Sequence, residues 1–184
     1  DRQELSGPIR LAAPMSFGIR LLGPSLADFL ERHPLVEIDV ILSDARNDLV
    51  AEGIDLALRI SSLDDSSLLA RTIAPIAASV IASPAYLERH ATPSTSRSIG
   101  SSAMAIAAGD THHFHREGEQ ATVVPSGPLF ANNGDIAIPL LLAGGGIAAL
   151  PDFIAEAELA SGALVRVLAE WSLPQSYLHL LSPP

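Results

Sequence analysis

The chain has 184 residues, 48% hydrophobic, 17% charged and 4% aromatic, with no cysteine and a formal net charge of -10. At this length roughly 70% of the unfolded chain's surface can be buried, so one or two domains fold without staples, and the absence of Cys removes disulfides, thiolate metal ligands and thiol nucleophiles. An excess of 21 acidic over 11 basic residues has the wrong sign for neutralising phosphates, and no apolar run reaches the ~18 residues of a membrane span.

Asp1-Arg2-Gln3-Glu4 has neither an initiator Met nor the basic-then-apolar order of a signal peptide, and a longer parent chain is expected. Ile9 to Pro14 reads as a strand after the Gly7-Pro8 turn, and Phe17 to Arg32 carries apolar residues at helical spacing. Pro34 stops that helix. Val36 to Leu42 alternates apolar and acidic residues as a strand does, Asp48 to Glu52 predicts a helix ended by Gly53, and Ile54 to Ile60 is a third strand. Strands separated by helical patterns predict right-handed crossovers and a mainly parallel, doubly wound sheet. Leu68 to Ala82 is apolar and extended for too long to be one strand, and Pro75 splits it, so the chain is expected to cross there between two lobes. Beyond it the spacing predicts a strand over 78–82, a helix over 84–90, a polar loop over 92–102, strands over 103–107, 121–124 and 127–131, a helix over 135–143 and a strand over 147–150. Pro151 opens a further helix closed near Gly162, and Leu164 to Leu168 with Tyr177 to Leu181 forms the exit.

The motifs of common enzymes are missing. The sequence has no Gly-x-Ser-x-Gly elbow, no phosphate loop and no Gly-x-Gly-x-x-Gly between a strand and a helix. Gly144-Gly145-Gly146 follows a helix and precedes a strand, an order that suits a helix C-cap and not a phosphate cradle, so no cofactor is implied. His112, His113 and His115 lack helical i, i+4 spacing and sit in a polar stretch between Gly109 and Gly118, which predicts a surface hairpin or strand edge and no metal. Among acid–base groups at strand ends only Asp44, Arg59 and Asp135 stand out, and no catalytic residue is assigned.

Small polar residues recur after the strands. Ser16, Ser43, Ser61 and Ser83 follow the first four, the last with Pro84 at the next position, and Asn132-Asn133-Gly134-Asp135 precedes the long helix of the second half. By type these are helix N-caps. The carboxyl edge of strands in an open α/β sheet is also where ligands bind, so both roles stand open at each position. Arg59 either faces a ligand's acid group or pairs with Asp44 or Asp48.

Gly7 to Gly18, Pro24 to Val36, Leu42-Ser43-Asp44 and Asp48 to Ile60 together resemble the effector-binding domain of LysR-type transcriptional regulators. The likeness continues through Asp65 to Leu68, Ala82 to Leu87, Asn132 to Asp135, Ala143 to Ile147, Leu150-Pro151 and Gly162 to Val165, in order along nearly the whole chain. It implies an α/β domain of two Rossmann-like lobes joined by two crossing strands, like type 2 periplasmic binding proteins. Lobe I is expected over 1–75 and 170–184, and lobe II over 76–169. The resemblance further implies a small-molecule effector in the cleft between the lobes, a cytoplasmic homodimer, and DNA contact only through a winged helix-turn-helix that would precede this chain. Effector contacts carried over on the family's pattern are Ser16 with Phe17, Ser43, Ser83, and Asn133 with Asp135, joined by Arg59, Ser61 and Pro151. Between Ser94 and Glu119 the chain departs from the family's pattern, with Ser-rich and His-rich stretches. An extracytoplasmic solute-binding protein is the alternative with the same plan.

Overall fold

The computed structural model describes residues 5–45, 49–61, 69–90, 105–106, 111–125 and 129–183. Its elements are β1 (Gly7–Ala13), α1 (Met15–Phe17), a π-helical stretch (Gly18–Leu22), α2 (Gly23–Arg32), β2 (Val36–Leu42), β3 (Leu56–Ser61), β4 (Leu69–Ile76), β5 (Ala78–Ala82) and α3 (Pro84–His90). They continue with β6 (Ala105–Ile106), β7 (His112–Arg116), β8 (Glu119–Val123), β9 (Phe130–Ala131), α4 (Ala137–Leu142), β10 (Ile147–Pro151), a 3-10 turn (Asp152–Ile154), α5 (Glu156–Ser161), β11 (Val165–Val167) and β12 (Ser176–Ser182).

The chain divides into two compact units, residues 1–76 with 176–184, and residues 77–175. The sequence division placed 170–175 with the first lobe. These residues group instead with the second unit, because Trp171 and Leu173 pack on its core and Ser172 bridges His115.

In the first unit the sheet order is β2-β1-β3-β12-β4. β1 runs parallel to β2 and β3, while β12 is antiparallel to both its neighbours, so the sheet is mixed. Pro75 lies in β4, the outer strand, where a residue without an N–H is tolerated. One face buries Ala12, Ala57 and Leu181 against Leu49 and Ile54. Leu11, Ala13 and Leu58 are buried on the other, as is Phe17. The predicted first helix is continuous over 15–32 but widens at its centre: Gly23 donates to the Gly18 carbonyl five residues back, and Pro24, with no N–H to give, follows it. Residues 49–53 form a turn in place of the predicted helix, with Ile54 N–H returning to Leu49 O at 2.8 Å; Asp48 lies outside the described residues.

In the second unit β5 sits between β10 and β11 and is antiparallel to both, which corrects the expectation of a mainly parallel sheet. Alternation along β5 sends Val80 and Ala82 to a cluster with Tyr86, Phe114 and Ile147, and Ile81 to one with Ile138, Leu141 and Leu164. β6 and β9 pair in parallel. The predicted loop over 92–102 lies outside the described residues. The histidine stretch is a hairpin, as expected: β7 and β8 join through Glu117 and Gly118, whose φ values of 38° and 86° are both positive, as a two-residue type I′ connection demands. The final helical pattern splits into the 3-10 turn and α5, which ends at Gly162.

Candidate functional site

β1 and β2 are in register up to Ala13 and Leu42, so Pro14 and Ser43 leave the sheet side by side, with Ser43 N–H donated to Ala13 O at 3.0 Å. β3 pairs Leu56 with Leu11 and Ala57 with Ala12. Continuing that register, Arg59 stands level with Pro14, and Ile60 and Ser61 run beyond it. Arg59 is thus within β3 and still at the carboxyl edge. Tyr177, at the start of β12, pairs with Ser61, and Ser176 pairs with Ile76, so this edge is also where the chain leaves and re-enters the unit. Ser16, Phe17, Ser43, Arg59 and Ser61 all lie along it.

Only one of the serines in question caps a helix among the described residues. Ser16 is the second residue of α1 and is buried; the helix starts after Pro14, and the Met15 N–H is taken by Asp44 Oδ1 at 3.0 Å. A distant carboxylate therefore does what the local serine was expected to do. Ser43 Oγ accepts from Ala45 N–H at 3.2 Å in a tight bend, and Ser61 is the last residue of a strand. Ser83 is a true cap: its Oγ accepts from Tyr86 N–H at 3.3 Å, with Pro84 in the first helical position.

The second unit does not bring all its expected contacts together. Ala82 is level with Ile147, and Ala78 with Pro151, so the carboxyl ends of antiparallel β5 and β10 fall on opposite edges of the sheet. Ser83 follows one and Pro151 ends the other. The chain enters the unit at Ala77, on the Pro151 side, and Asp152 N–H donates to Ala77 O at 2.9 Å. Asn133 and Asp135 belong to this side too: a Cβ on Gly134 between them would lie 2.7 Å from Ile154 Cδ1 and 3.1 Å from Leu150 Cδ2. Asn133 Oδ1 accepts from Asp135 N–H at 2.9 Å, closing the loop as an Asx turn. Sequence reasoning missed two residues here. Arg166 Nη2 donates to Asp152 Oδ2 at 2.8 Å and its Nε to Ser79 Oγ at 3.1 Å, spanning β5 from β11 to the end of β10. Nothing local marks that pairing, since 14 residues separate Arg166 from Asp152.

Each unit thus carries one edge, beside its chain crossings, that mixes hydroxyl or amide groups with carboxylates and a cation. Ser16, Phe17, Arg59, Asn133 and Asp135 are each engaged by neighbours within the protein. Such mixed donors and acceptors suit a small polar molecule. Among the described residues no group of three His, Cys, Asp or Glu gathers to hold a metal ion, and no helix is long and apolar enough to cross a membrane.

The model of the LysR substrate binding domain matches residues 2–184. The chain is 34% identical over 176 residues to the probable HTH-type transcriptional regulator LtrA of Klebsiella pneumoniae, covering 93% of this chain and 57% of that protein. The full-length structure of the Vibrio cholerae virulence activator AphB superposes with a TM-score of 0.85 at 27% identity, over 98% of this chain and 62% of that one. The CrgA regulatory domain of Neisseria meningitidis superposes with a TM-score of 0.79 at 28% identity, over 97% of this chain and 90% of that one. The α/β fold expected from the sequence, that of type 2 periplasmic binding proteins, is shared with these regulatory domains. The chain spans about 60% of the length of the curated relatives it matches, and it belongs to the LysR substrate-binding domain family.

Proposed function

We propose that the chain is the ligand-sensing part of a cytoplasmic LysR-type transcription regulator, and that a small-molecule effector is held by the strand-end residues beside the chain crossings. The observation that carries this reading is the shared edge of the first unit, where Ser16 and Ser43 follow β1 and β2 while Arg59 and Ser61 end the parallel neighbour β3. Proteins similar to it over nearly all of this chain are named as transcriptional regulators, which favours a regulator over the extracytoplasmic solute-binding alternative. The role is non-catalytic, with effector binding shifting the balance between conformations. DNA contact belongs to a part of the regulator outside this chain, since the acidic excess here disfavours phosphate binding. Homodimerisation through this domain is supported by α2, which buries none of its residues, and by Ile19 just before it, 62% exposed.

Thermal-shift screening of the purified chain against metabolites, followed by calorimetric titration of each hit, tests the proposal. A saturable hit recovered chemically unchanged after incubation supports it. Turnover of the hit would make the chain an enzyme, and binding unaffected by Ser16→Ala and Ser43→Ala together would remove the strand-end site.

A further inference from the structure

The β7–β8 hairpin carries a second constellation. Phe114, at the centre of β7, is 1% exposed in the core, while His113 and His115 on either side of it are exposed. Alternation therefore sets both imidazoles on the outer face. Same-face neighbours on a strand are about 6.7 Å apart along the chain, a separation that two imidazole side chains can close on one ion. The sequence offered no helical i, i+4 pair, and the strand supplies the same face-sharing at i, i+2.

The register places Thr122 opposite His113 and Gln120 opposite His115. Thr122 Oγ1 lies 3.2 Å from His113 Nδ1. With Nδ1–H donated to that hydroxyl, the lone pair of Nε2 is left for a metal, the way a hydrogen-bonded partner fixes the tautomer and aim of a ligating imidazole. His115 uses its backbone, in paired bonds with Ser172 at 3.0 and 2.9 Å, and its ring makes no hydrogen bond, ion pair or ring contact among the described residues. The neighbouring cation is kept off this face: Arg116 points the other way, 4.5 Å over the Trp171 ring and paired with Glu119 and Glu170.

We propose that His113 and His115 form a two-imidazole site for a divalent first-row metal ion that favours nitrogen ligands, Cu²⁺, Ni²⁺ or Zn²⁺, with water completing the coordination. The two protein ligands leave the site open and its ion exchangeable, unlike a closed four-ligand structural zinc. Imidazole ligands give an affinity order with Cu²⁺ ahead of Ni²⁺ and Zn²⁺, and Mg²⁺ and Ca²⁺, which take oxygen ligands, are excluded. The site shares no residue with the strand-end edges.

Calorimetric titration of the tag-free protein with each of these chlorides tests it. The expected result is one saturable Cu²⁺ site, weakened at least about 10-fold by either His113→Gln or His115→Gln and unchanged by His112→Gln. Thr122→Val leaves both imidazoles in place and should weaken binding by about 10-fold, the low end for losing a partner that orients a ligand. Circular dichroism confirms the fold of each variant, all of which alter surface or half-buried positions. No binding by the unmodified protein, or binding that survives both the His113 and His115 substitutions, overturns the proposal.

Discussion

Asp44 Oδ1 accepts the backbone N–H of Met15 at 3.0 Å, joining the end of β2 to the first turn of the α1 helix across 29 residues of chain. The first N–H groups of a helix have no partner within it, and here one is satisfied by a side chain from the neighbouring strand. Removing the acceptor by Asp44→Ala should cost about 1 kcal/mol of stability, as the loss of a local cap does, while Asp44→Asn keeps a carbonyl oxygen and most of the effect. Urea denaturation of both variants measures this, and equal stability of the alanine variant and the parent would show that the bond contributes nothing.

The two edges of the second unit give the serines different expected behaviour. Ser83 caps α3 on the edge opposite Pro151 and is 2% exposed, so Ser83→Ala should lower stability by about 1 kcal/mol and leave effector affinity alone. Ser16→Ala and Ser43→Ala should instead weaken a charged effector by about 1.5 to 3 kcal/mol each, about 10- to 150-fold in affinity. Melting curves with calorimetry on the three variants separate the cases. Affinity lost in Ser83→Ala and kept in the other two would invert the assignment.

Where the sequence reading succeeded and failed follows from the range of the interactions. β2 and α3 have the expected bounds because alternation and a Ser-Pro start are local signals. The antiparallel setting of β10 and β11 against β5 has no local signal, since an extended apolar pentapeptide reads the same in either direction. That one ambiguity placed Ser83 with Asn133, Asp135 and Pro151. The cap at Met15 was misassigned for a similar reason: Ser16 is adjacent in sequence, and Asp44 is adjacent only once β1 and β2 have paired.

Gly134 is a position where added volume has nowhere to go. A Cβ there meets Ile154 Cδ1 at 2.7 Å and Leu150 Cδ2 at 3.1 Å, both side chains of buried core residues. Gly134→Ala should therefore cost about 1 to 3 kcal/mol by overpacking. Ile154→Val removes the closest methyl, so in the Gly134→Ala background it should restore part of that loss instead of adding its own. A double-mutant cycle by chemical denaturation reads the coupling, and additive losses would show that the loop relaxes away from the core.

Arg116 fastens the hairpin to the segment before β12. Its guanidinium lies 4.5 Å over the Trp171 ring and reaches Glu119 at 2.8 Å and Glu170 at 3.3 Å. The Glu119 hydrogen bond, and then the charges of Glu119 and Glu170, raise the pKa of Arg116 above its ordinary value. Arg116 therefore stays charged through the ordinary pH range. Salt is a different lever, because exposed ion pairs are screened over about 3 Å at 1 M ionic strength. Trp171 is the single tryptophan of the chain, so its emission reports on this contact without interference. Arg116→Ala should shift that emission to the red and speed amide exchange at His115 and Ser172, whose paired bonds lie beside the stack, with the β5 amides unaffected. Arg116→Lys keeps the charge but loses the planar group that lies over the ring and meets both carboxylates, so it should fall between the two. Unchanged exchange at His115 and Ser172 in the alanine variant would mean that the backbone bridge holds the segment without help from the arginine.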